Sequence, residues 1–367
     1  MNNTFAEIKL KNLIYNYNAI KKKSKVKVMA VVKADAYGHG MLQCVKALSE
    51  LKNKPNYYGV ALLSEAIELR KSKIIKDPIL CFAPFQKSEI ENYINHKILP
   101  TISTPDQITE LLKIQFSKPF RFQINVNTGM NRLGINYKIA FKEILRISKN
   151  KNLIIDGIYT HFATSDEKNK DFANLQLKRF KSVIDKLKEN NVEFGLTHAA
   201  NSGAILDMPD SYFDMVRPGI SLYGYYPSQE TSESIKLKPV MSIYSKLSTI
   251  YEVEKCESVG YGRHFYAPEN IMCATIPIGY ADGILRGLSN KMNVIINNKV
   301  YDQIGRVSMD RISINLGNDK LKKGTKVILI GKSKDFQINA WDWSNILNTI
   351  PYEITCTISK RVTRKYI

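Results

Sequence analysis

One lysine stands at the end of an apolar run and directly before small residues and glycines. Residues 26–32 form the run, Lys33 follows, and residues 34–40 contain two glycines. A run bounded by glycine predicts a buried strand that ends in a functional loop. Partial desolvation there lowers the pKa of a lysine and frees the amine to form an imine with an aldehyde. A lysine whose stem lies on apolar surface while its ammonium reaches water is the alternative.

Further polar and glycine residues come at the ends of other strand-like runs. They are Arg132 after the fifth run, His161 at the end of the sixth, Asn201 and Ser202 after the seventh, and Arg217, Gly219 and Ile220 in the eighth. A satisfied core histidine and a structural ion pair would explain His161 and Arg217 singly. Their convergence with Lys33 and an anion-binding Ser-Gly loop predicts a pyridoxal 5'-phosphate site. The lysine would hold the aldehyde as a Schiff base, and Arg217 could face the pyridine nitrogen.

Strand-like and helix-like patterns alternate through the first two thirds of the chain. The predicted strands are 26–33, 57–62, 78–82, 99–103, 121–127, 153–162, 194–201 and 215–224, and the predicted helices are 41–51, 64–72, 89–96, 106–114, 138–148, 172–187 and a short turn at 203–206. Eight such units predict an α/β fold with a closed (β/α)8 TIM-type barrel. A doubly wound open sheet is the alternative, although no dinucleotide-type glycine fingerprint follows the first strand.

The pattern changes after about residue 235. Short runs rich in β-branched and aromatic residues occur at 241–253, 272–278, 292–296, 311–316, 326–330 and 352–358, with one short helix at 341–347. Turn-forming residues separate these runs. We therefore predict a barrel domain over residues 1–235 and a mostly β domain over residues 236–367.

Composition restricts the class of protein. The 367 residues carry a net charge of +20, but the lysines are dispersed among acids and apolar residues, so nucleic-acid binding is not expected as the main role. The five cysteines have no metal-ligand spacing, which predicts reduced thiols, no metal and a cytoplasmic protein. Residues 1–6 lack an apolar signal-peptide core, and no run is long enough to span a membrane.

The sequence strongly resembles the alanine racemase family over nearly its whole length. The motifs that carry the resemblance lie at 32–40 (Val-Lys-Ala-Asp-Ala-Tyr-Gly-His-Gly), 128–134, 160–163, 217–220, 260–262, 276–283 and 308–310. The resemblance implies a homodimer with shared active sites that uses pyridoxal phosphate to interconvert L- and D-alanine by two-base proton transfer on the cofactor aldimine. It also implies a role in supplying D-alanine for peptidoglycan.

The resemblance assigns roles residue by residue. Lys33 would carry the cofactor and act as one base, and Tyr261 of the partner subunit would act as the other. Tyr37, Ser202, Gly219, Ile220 and Tyr352, beside Asn201, would hold the phosphate. Arg217 would face the pyridine nitrogen, and His161 would lie beside the ring. Arg132 would hold the phenolic oxygen of the cofactor, and Met309 would help to bind the substrate carboxylate. Asp166, Tyr280, Arg286, Arg306 and Ile350 match residues that line the substrate entryway.

Two positions depart from the family pattern. Asn125 stands where a carbamylated lysine is frequent, and Ser308 stands where cysteine is common. A neutral Asn125 leaves Arg132 without an anionic neighbour, so we predict that chloride binds between them, with an ordered water as the alternative. The alternatives for function are a racemase of broader specificity, a non-catalytic pyridoxal phosphate-binding barrel and a decarboxylase on a related barrel. The long C-terminal region disfavours the second, and the decarboxylase motifs are missing from that region.

Overall fold

A computed structural model describes residues 4–367, so the first half of the polar stretch 1–6 lies outside the described residues. The chain divides into two compact units. The barrel unit comprises Leu13–Ala36 and Met41–Lys238, and the β unit comprises the described residues up to Asn12, Tyr37–Gly40 and Pro239–Ile367. These units differ from the predicted ranges 1–235 and 236–367 at the N-terminal segment and at Tyr37–Gly40.

The first strand, β1 (Phe5–Ile8), belongs to the β unit, and the next strands form the barrel. They are β2 (Lys27–Val31), β3 (Tyr57–Val60), β4 (Ile79–Pro84), β5 (Leu99–Ile102), β6 (Phe120–Asn127), β7 (Ile135–Asn136), β8 (Leu153–Tyr159), β9 (Leu196–His198) and β10 (Met215–Val216). All pair in parallel in the order β10-β2-β3-β4-β5-β6-β8-β9, and β7 pairs with β6 beside this path. Backbone hydrogen bonds from Asp214 to Thr197 (3.0 Å) and from Arg217 to Ala200 (2.8 Å) link the last strand to the neighbour before it. The predicted eight-stranded barrel is confirmed.

Helices precede and connect the barrel strands. They are Leu10–Ser24, Met41–Ser49, Leu63–Lys71, Ile90–His96, Pro105–Leu112, Tyr137–Ser148, Asp171–Glu189 and Ser202–Asp207. The first of these helices was not predicted, although its buried residues Leu13, Tyr17 and Ile20 recur at helical spacing. Many lysines and asparagines surround these residues and weaken the apolar pattern.

The last two barrel strands are shorter than predicted. The predicted strands 194–201 and 215–224 prove to be three and two residues long. Pro218 has no N–H to donate, and after Gly219 the chain turns into a 3-10 helix at Ile220–Tyr223. The residues after these strands can therefore form loops at the carboxyl end of the barrel.

The β unit is a mostly antiparallel sheet of β1 and the remaining strands. These are β11 (Met241–Lys246), β12 (Thr249–Val253), β13 (Ile271–Ile276), β14 (Asn293–Ile296), β15 (Lys299–Ile304), β16 (Ile312–Gly317), β17 (Lys326–Lys332), β18 (Gln337–Ile338) and β19 (Thr363–Tyr366). Their order is β12-β13-β16-β15-β14-β17-β11-β1-β19, with β18 beside β17. The predicted run 241–253 is thus two strands, and β1, β15, β18 and β19 were not predicted.

One predicted strand is wrong. Residues 352–358 lie mostly in a helix, Pro351–Thr357, which follows the correctly predicted helix at Ala340–Leu347. Proline suits the first helical position because it lacks the N–H that would have no partner there. Buried Pro351, Ile354, Thr355 and Ile358 recur at helical spacing, and this burial outweighs the β-branched composition.

Two buried tyrosines of the barrel unit give a matched test of hydrogen-bond energetics. Tyr17 donates from its hydroxyl to the carbonyl of Asn53 at 2.6 Å, whereas the buried hydroxyl of Tyr58 has no partner within residues 4–367. We expect Tyr17→Phe to lower the free energy of unfolding by about 1 kcal/mol, because a buried hydrogen bond is lost. Tyr58→Phe should leave it unchanged or raise it. Urea denaturation of both variants measures the difference, and equal losses would contradict it.

Candidate active site

Lys33 lies just beyond the carboxyl end of β2 and begins an unusual backbone segment. Ala34, Asp35, Ala36 and Tyr37 all have φ between 52° and 55°, and the first three have ψ between 47° and 52°. This is a left-handed helical turn built without glycine. Each such residue costs about 1–2 kcal/mol relative to right-handed backbone, so the surrounding structure must impose the turn.

Two carboxylates hold this turn in the barrel unit. Glu65 accepts hydrogen bonds from the amides of Ala34 (2.6 Å), Ala61 (2.8 Å) and Leu62 (3.0 Å). Asp35 accepts from the amide of Met41 at 2.7 Å. Charged acceptors form strong hydrogen bonds to backbone amides, and together these bonds fix the backbone on both sides of the turn.

Arg217 follows β10 and is only 3% exposed. Its Nη1 donates to Nδ1 of His198 at 2.7 Å, and its Nη2 donates to the carbonyls of Thr160 (2.7 Å) and Ala199 (3.0 Å). The guanidinium carbon lies 5.2 Å from the centre of the Tyr159 ring. Burial lowers the pKa of the Arg217 guanidinium to about 10, so it stays charged at neutral pH.

His161 lies beside Arg217, whose Nη2 is 3.3 Å from its Nδ1. Burial lowers the pKa of His161 well below its usual value, and the charges of Arg217, Arg132 and Lys33 lower it further. His161 is therefore a neutral ring among three cations. Four of the predicted site residues thus converge at the carboxyl end of the barrel.

Arg132 lies in an exposed loop that Asn127 organises. The Asn127 side-chain oxygen accepts from the amides of Gly129 (3.0 Å) and Asn131 (3.1 Å). Gln123, Asn125 and Asn127 alternate along β6, a spacing that would bring all three side chains to one face of the sheet. Gln123 and Asn125 are buried, whereas Asn127 instead bonds to the loop that follows its own strand.

Ser202, Gly219 and Ile220 lie in the segments that follow β9 and β10. The Ser202 hydroxyl oxygen accepts from the amides of Gly219 (2.9 Å) and Ser221 (3.3 Å), and it lies 3.0 Å from the hydroxyl oxygen of Ser221. The Ile220 amide donates to no acceptor in the part of the chain that the structure describes. Hydroxyl and amide donors in such an arrangement suit a phosphate group.

Asn201 shapes the loop next to these residues. Its side-chain oxygen accepts from the amide of Ala204 at 3.1 Å and from the hydroxyl of Ser165 at 2.7 Å. Ser165 directly precedes Asp166, and Lys170 donates from Nζ to the Ser165 carbonyl at 2.9 Å. Asn201 therefore joins the start of the helix Ser202–Asp207 to the loop that carries Asp166.

The β unit holds the other predicted site residues. Tyr37 is buried, and its ring centre lies 5.9 Å from that of Tyr352. Tyr261 is 71% exposed and Met309 is 52% exposed. Tyr280, Arg286 and Ile350 are also exposed, and Arg306 is half-buried.

The loops that carry the exposed residues are neighbours within the β unit. The amide of Tyr280 donates to the carbonyl of Ser308 at 3.0 Å, next to Met309. Gly260 and Gly262 flank Tyr261 with φ of 77° and 73°, which favours glycine at both positions. A β-carbon on Gly262 would lie 2.8 Å from Nε2 of His264. The two glycines thus let Tyr261 project from a tight turn.

Two residues that support Arg217, one directly and one through intervening side chains, were not predicted. His198 ends β9 just as His161 follows β8, so the same strand-end pattern could have identified it. Asp156 lies inside β8 and gave no such indication. Among residues 4–367 there is no cluster of His, Cys, Asp and Glu arranged to hold a metal. No helix in this range is long and apolar enough to cross a bilayer.

The barrel-unit residues fit pyridoxal phosphate. The strand-end amine of Lys33 suits its aldehyde, the Ser202 hydroxyl and the Ile220 amide suit its phosphate, and the charged Arg217 suits its pyridine nitrogen. A parallel barrel with this set, joined to a β unit, defines the class of barrel-type, pyridoxal-phosphate-dependent amino-acid racemases.

Comparison with known proteins narrows the class. The alanine racemase N-terminal domain matches residues 8–227, and the alanine racemase C-terminal domain matches residues 240–366. Alanine racemase 1 of Clostridium acetobutylicum is 40% identical, over 99% of this chain and 95% of its own length. The structure of alanine racemase from Clostridium difficile 630 aligns with a TM-score of 0.92 at 36% identity, over 99% of this chain and 95% of that chain. The structure from Bacillus anthracis with bound L-Ala-P aligns with a TM-score of 0.92 at 34% identity, over 100% of this chain and 95% of that chain.

The chain belongs to the alanine racemase family. It is a pyridoxal-phosphate-dependent isomerase that interconverts the enantiomers of alanine. The resemblance inferred from the motifs, the cofactor and the reaction are thereby confirmed.

The left-handed turn predicts an inverted response to glycine. Ala34 is exposed and has positive φ, so Ala34→Gly should raise the free energy of unfolding by about 1 kcal/mol. Ala47→Gly, inside the helix Met41–Ser49, should lower it by about 1 kcal/mol because glycine disfavours right-handed helix. Denaturant unfolding of the two variants measures both signs. A loss of stability in Ala34→Gly would contradict the left-handed conformation.

Proposed function

We propose that Lys33 and Tyr261 are the two bases of alanine racemisation, acting on opposite faces of the substrate. Racemisation removes the Cα proton from one face and returns a proton to the other, which a single base does poorly. Pyridoxal phosphate, when bound, supplies the electron sink that stabilises negative charge at Cα. Lys33 would bind it covalently and, once released by the substrate, move a proton at Nζ. The observation that carries this proposal is the convergence of Lys33, Arg132, His161 and Arg217 in the barrel unit.

Tyr261 would act at its hydroxyl oxygen in the active site of the partner subunit, because we propose a homodimer with shared sites. The exposure of Tyr261 and Met309 supports this arrangement. Tyr280 and Ile350 are exposed as well, so four of the β-unit residues that the resemblance assigns to the site lie open to solvent. Large exposed apolar groups on neighbouring loops are typical of a surface that a partner covers. A second copy of the chain would bury them and receive Tyr261.

Other side chains would position the cofactor and the substrate. Arg217 carries a charge and can only donate, so it would disfavour protonation of the pyridine nitrogen and limit side reactions. His161, neutral and buried, would lie beside the ring. Arg132 would hold the phenolic oxygen of the cofactor next to the substrate, and Met309 would help to bind the substrate carboxylate. Tyr37, Asn201, Ser202, Gly219, Ile220 and Tyr352 would hold the phosphate, and Asp166, Tyr280, Arg286, Arg306 and Ile350 would line the entryway.

The cellular role follows from the reaction. D-Alanine is a building block of peptidoglycan, and we propose that this enzyme supplies it from the cytoplasm. No disulfide joins any of the cysteines Cys44, Cys81, Cys256, Cys273 and Cys356, all within residues 4–367, which suits a reducing compartment.

Mixing two inactive variants tests the shared site. Lys33→Ala should lose both covalent cofactor and racemisation, and Tyr261→Phe should bind cofactor but lose racemisation. After subunit exchange, we expect roughly a quarter of wild-type activity, because half of randomly paired dimers would carry one intact site of two. Racemisation of L-alanine, followed by chiral chromatography, gives the recovered fraction.

In the matched control, a variant that lacks both bases replaces Tyr261→Phe in the mixture. Lys33→Ala mixed with the double variant Lys33→Ala/Tyr261→Phe contains no intact combination and should stay inactive. If the first mixture stays inactive although mass spectrometry shows exchanged subunits, the two bases do not come from different chains. Borohydride label on a lysine other than Lys33 would contradict its assignment.

We further propose that chloride binds between Asn125 and Arg132. Asn125 is only 7% exposed, yet its side-chain amide makes no hydrogen bond to any residue of the described range 4–367. Arg132 forms no ion pair with a carboxylate in that same range. Gly134 packs against Asn125, where an added β-carbon would lie 3.1 Å from Cγ. A small anion would pair with the arginine and accept from the amide.

Anomalous diffraction from crystals soaked in bromide tests this site. We expect a peak within hydrogen-bond distance of the Asn125 amide in the wild type and none in Asn125→Asp, because a carboxylate repels the anion. A wild-type map without a peak, in which Arg132 pairs with a protein carboxylate, would refute the proposal.

A further inference from the structure

A chain of four polar side chains crosses the interior of the barrel unit. Asp156 lies in β8, Gln123 in β6 and His198 in β9, and Arg217 follows β10. Each is at most 3% exposed, and each bonds to the next at 3.1 Å or less. Barrel interiors are usually filled by apolar layers, so a continuous polar chain needs an explanation.

The first link fixes the Gln123 amide. The Asp156 carboxylate only accepts hydrogen bonds, and it receives Nε2 of Gln123 at 3.1 Å. It also receives the Tyr57 hydroxyl at 3.1 Å and Nε of Arg121 at 2.9 Å. The opposite amide orientation would place two oxygens against each other. Gln123 must therefore point its NH2 group toward Asp156 and its oxygen toward His198.

The second link fixes the tautomer of His198. Oε1 of Gln123 lies 2.9 Å from Nε2 of His198, so that nitrogen must carry the proton. Burial and the charge of Arg217 lower the pKa of His198 well below its usual value, which keeps the ring neutral. Nδ1 then has a lone pair to offer, and it accepts from Nη1 of Arg217 at 2.7 Å.

We propose that Asp156 and Gln123 are positioning residues for Arg217, which they control through the tautomer of His198. The proposal rests on the proposed role of Arg217 opposite the pyridine nitrogen. It adds that each hydrogen bond in the row from Asp156 to the Arg217 guanidinium fixes which atom donates and which accepts in the next. With the other tautomer of His198, its Nδ1–H would face the N–H of Arg217 Nη1. Nη1 would then lose its imidazole acceptor.

Asp156→Asn should exchange donor and acceptor at each following hydrogen bond, with almost no change in side-chain size. Arg121 donates to one oxygen of Asp156, so it should hold the oxygen of the new amide on its own side. The NH2 group of that amide then faces Gln123, whose own amide turns round and presents NH2 to His198. His198 should switch to the Nδ1–H tautomer. Adding Gln123→Glu to Asp156→Asn restores an acceptor next to His198, so the double variant should regain the Nε2–H tautomer.

Tyr57→Phe is the matched control. It removes a different hydrogen bond to the same carboxylate oxygen of Asp156. The donor and acceptor roles of Gln123, His198 and Arg217 stay unchanged. A general loss of packing or stability around Asp156 would appear in this variant too, whereas a switch of the His198 tautomer should not occur in it.

The direct measurement is 15N NMR of histidine-labelled protein without cofactor, with His198 assigned through His198→Gln among the five histidines. Protonated and unprotonated ring nitrogens differ widely in chemical shift. We expect Nε2–H in the wild type, in Tyr57→Phe and in the double variant, and Nδ1–H in Asp156→Asn. A wild type with Nδ1–H, or an Asp156→Asn variant that keeps Nε2–H, would overturn the proposal.

Racemisation by cofactor-loaded protein tests the consequence for Arg217. We expect kcat of Asp156→Asn to fall about tenfold to a hundredfold, the loss of one hydrogen bond to a charged group, and to recover in the double variant. A tautomer switch with unchanged racemisation would overturn the positioning role. Neither Lys33 nor Tyr261 belongs to this row of hydrogen-bonded side chains. The mixing experiment with Lys33→Ala and Tyr261→Phe would therefore reveal a failure of the two-base assignment separately.

Discussion

A buried guanidinium without a carboxylate partner is the constraint on which the barrel end depends. Among the described residues 4–367, Arg217 is held by the imidazole of His198, by the carbonyls of Thr160 and Ala199 and by the face of the Tyr159 ring. A buried charge is costly unless polar groups satisfy it, so each of these acceptors must be in place. They come from the ends of β8 and β9. The register of these neighbouring strands therefore matters to one side chain, because it brings both carbonyls and the His198 ring to the Arg217 guanidinium.

Neutral acceptors keep the charge of Arg217 available. A carboxylate at the same place would form an ion pair and neutralise the field that the guanidinium projects toward the carboxyl end of the barrel. The carboxylate in the barrel interior is instead Asp156, two side chains away, where Arg121 and Tyr57 also satisfy it. Separation of Asp156 from Arg217 by Gln123 and His198 lets the carboxylate orient the arginine without pairing with it.

The sequence predicted those parts of the site that depend on one strand and the loop after it. Lys33, His161 and Arg217 each follow an apolar run, and a parallel barrel brings the ends of such runs together. The Asp156–Gln123–His198 chain could not be predicted, because it depends on which residues of β6 and β8 face each other across the sheet. The pairing of Gln123 with Gly157 places Asp156 beside it, and nothing local to either strand records that register.

Some elements were missed because distant packing decides them. β1 has four residues and takes its place through β11 and β19, more than two hundred residues away in the sequence. Residues 352–358 are rich in β-branched side chains, so composition favoured a strand where burial at helical spacing favours a helix. Ala34 and Ala36 are good formers of right-handed helix, so the left-handed turn is contrary to local preference. Its cause lies in Glu65 and in the bond from Met41 to Asp35.

The turn after Lys33 also bears on the order in which the protein folds. A segment that opposes its own local preference cannot form early, since the contacts that compensate for it must exist first. Glu65 reaches the amide of Ala34 only after β2 and β3 have paired and the helix Leu63–Lys71 has formed. The reactive amine of Lys33 therefore takes its final orientation late, when most of the barrel is already assembled. A nascent or partly folded chain would present an ordinary, solvated lysine to cellular aldehydes, and the specific site would appear only with the finished barrel.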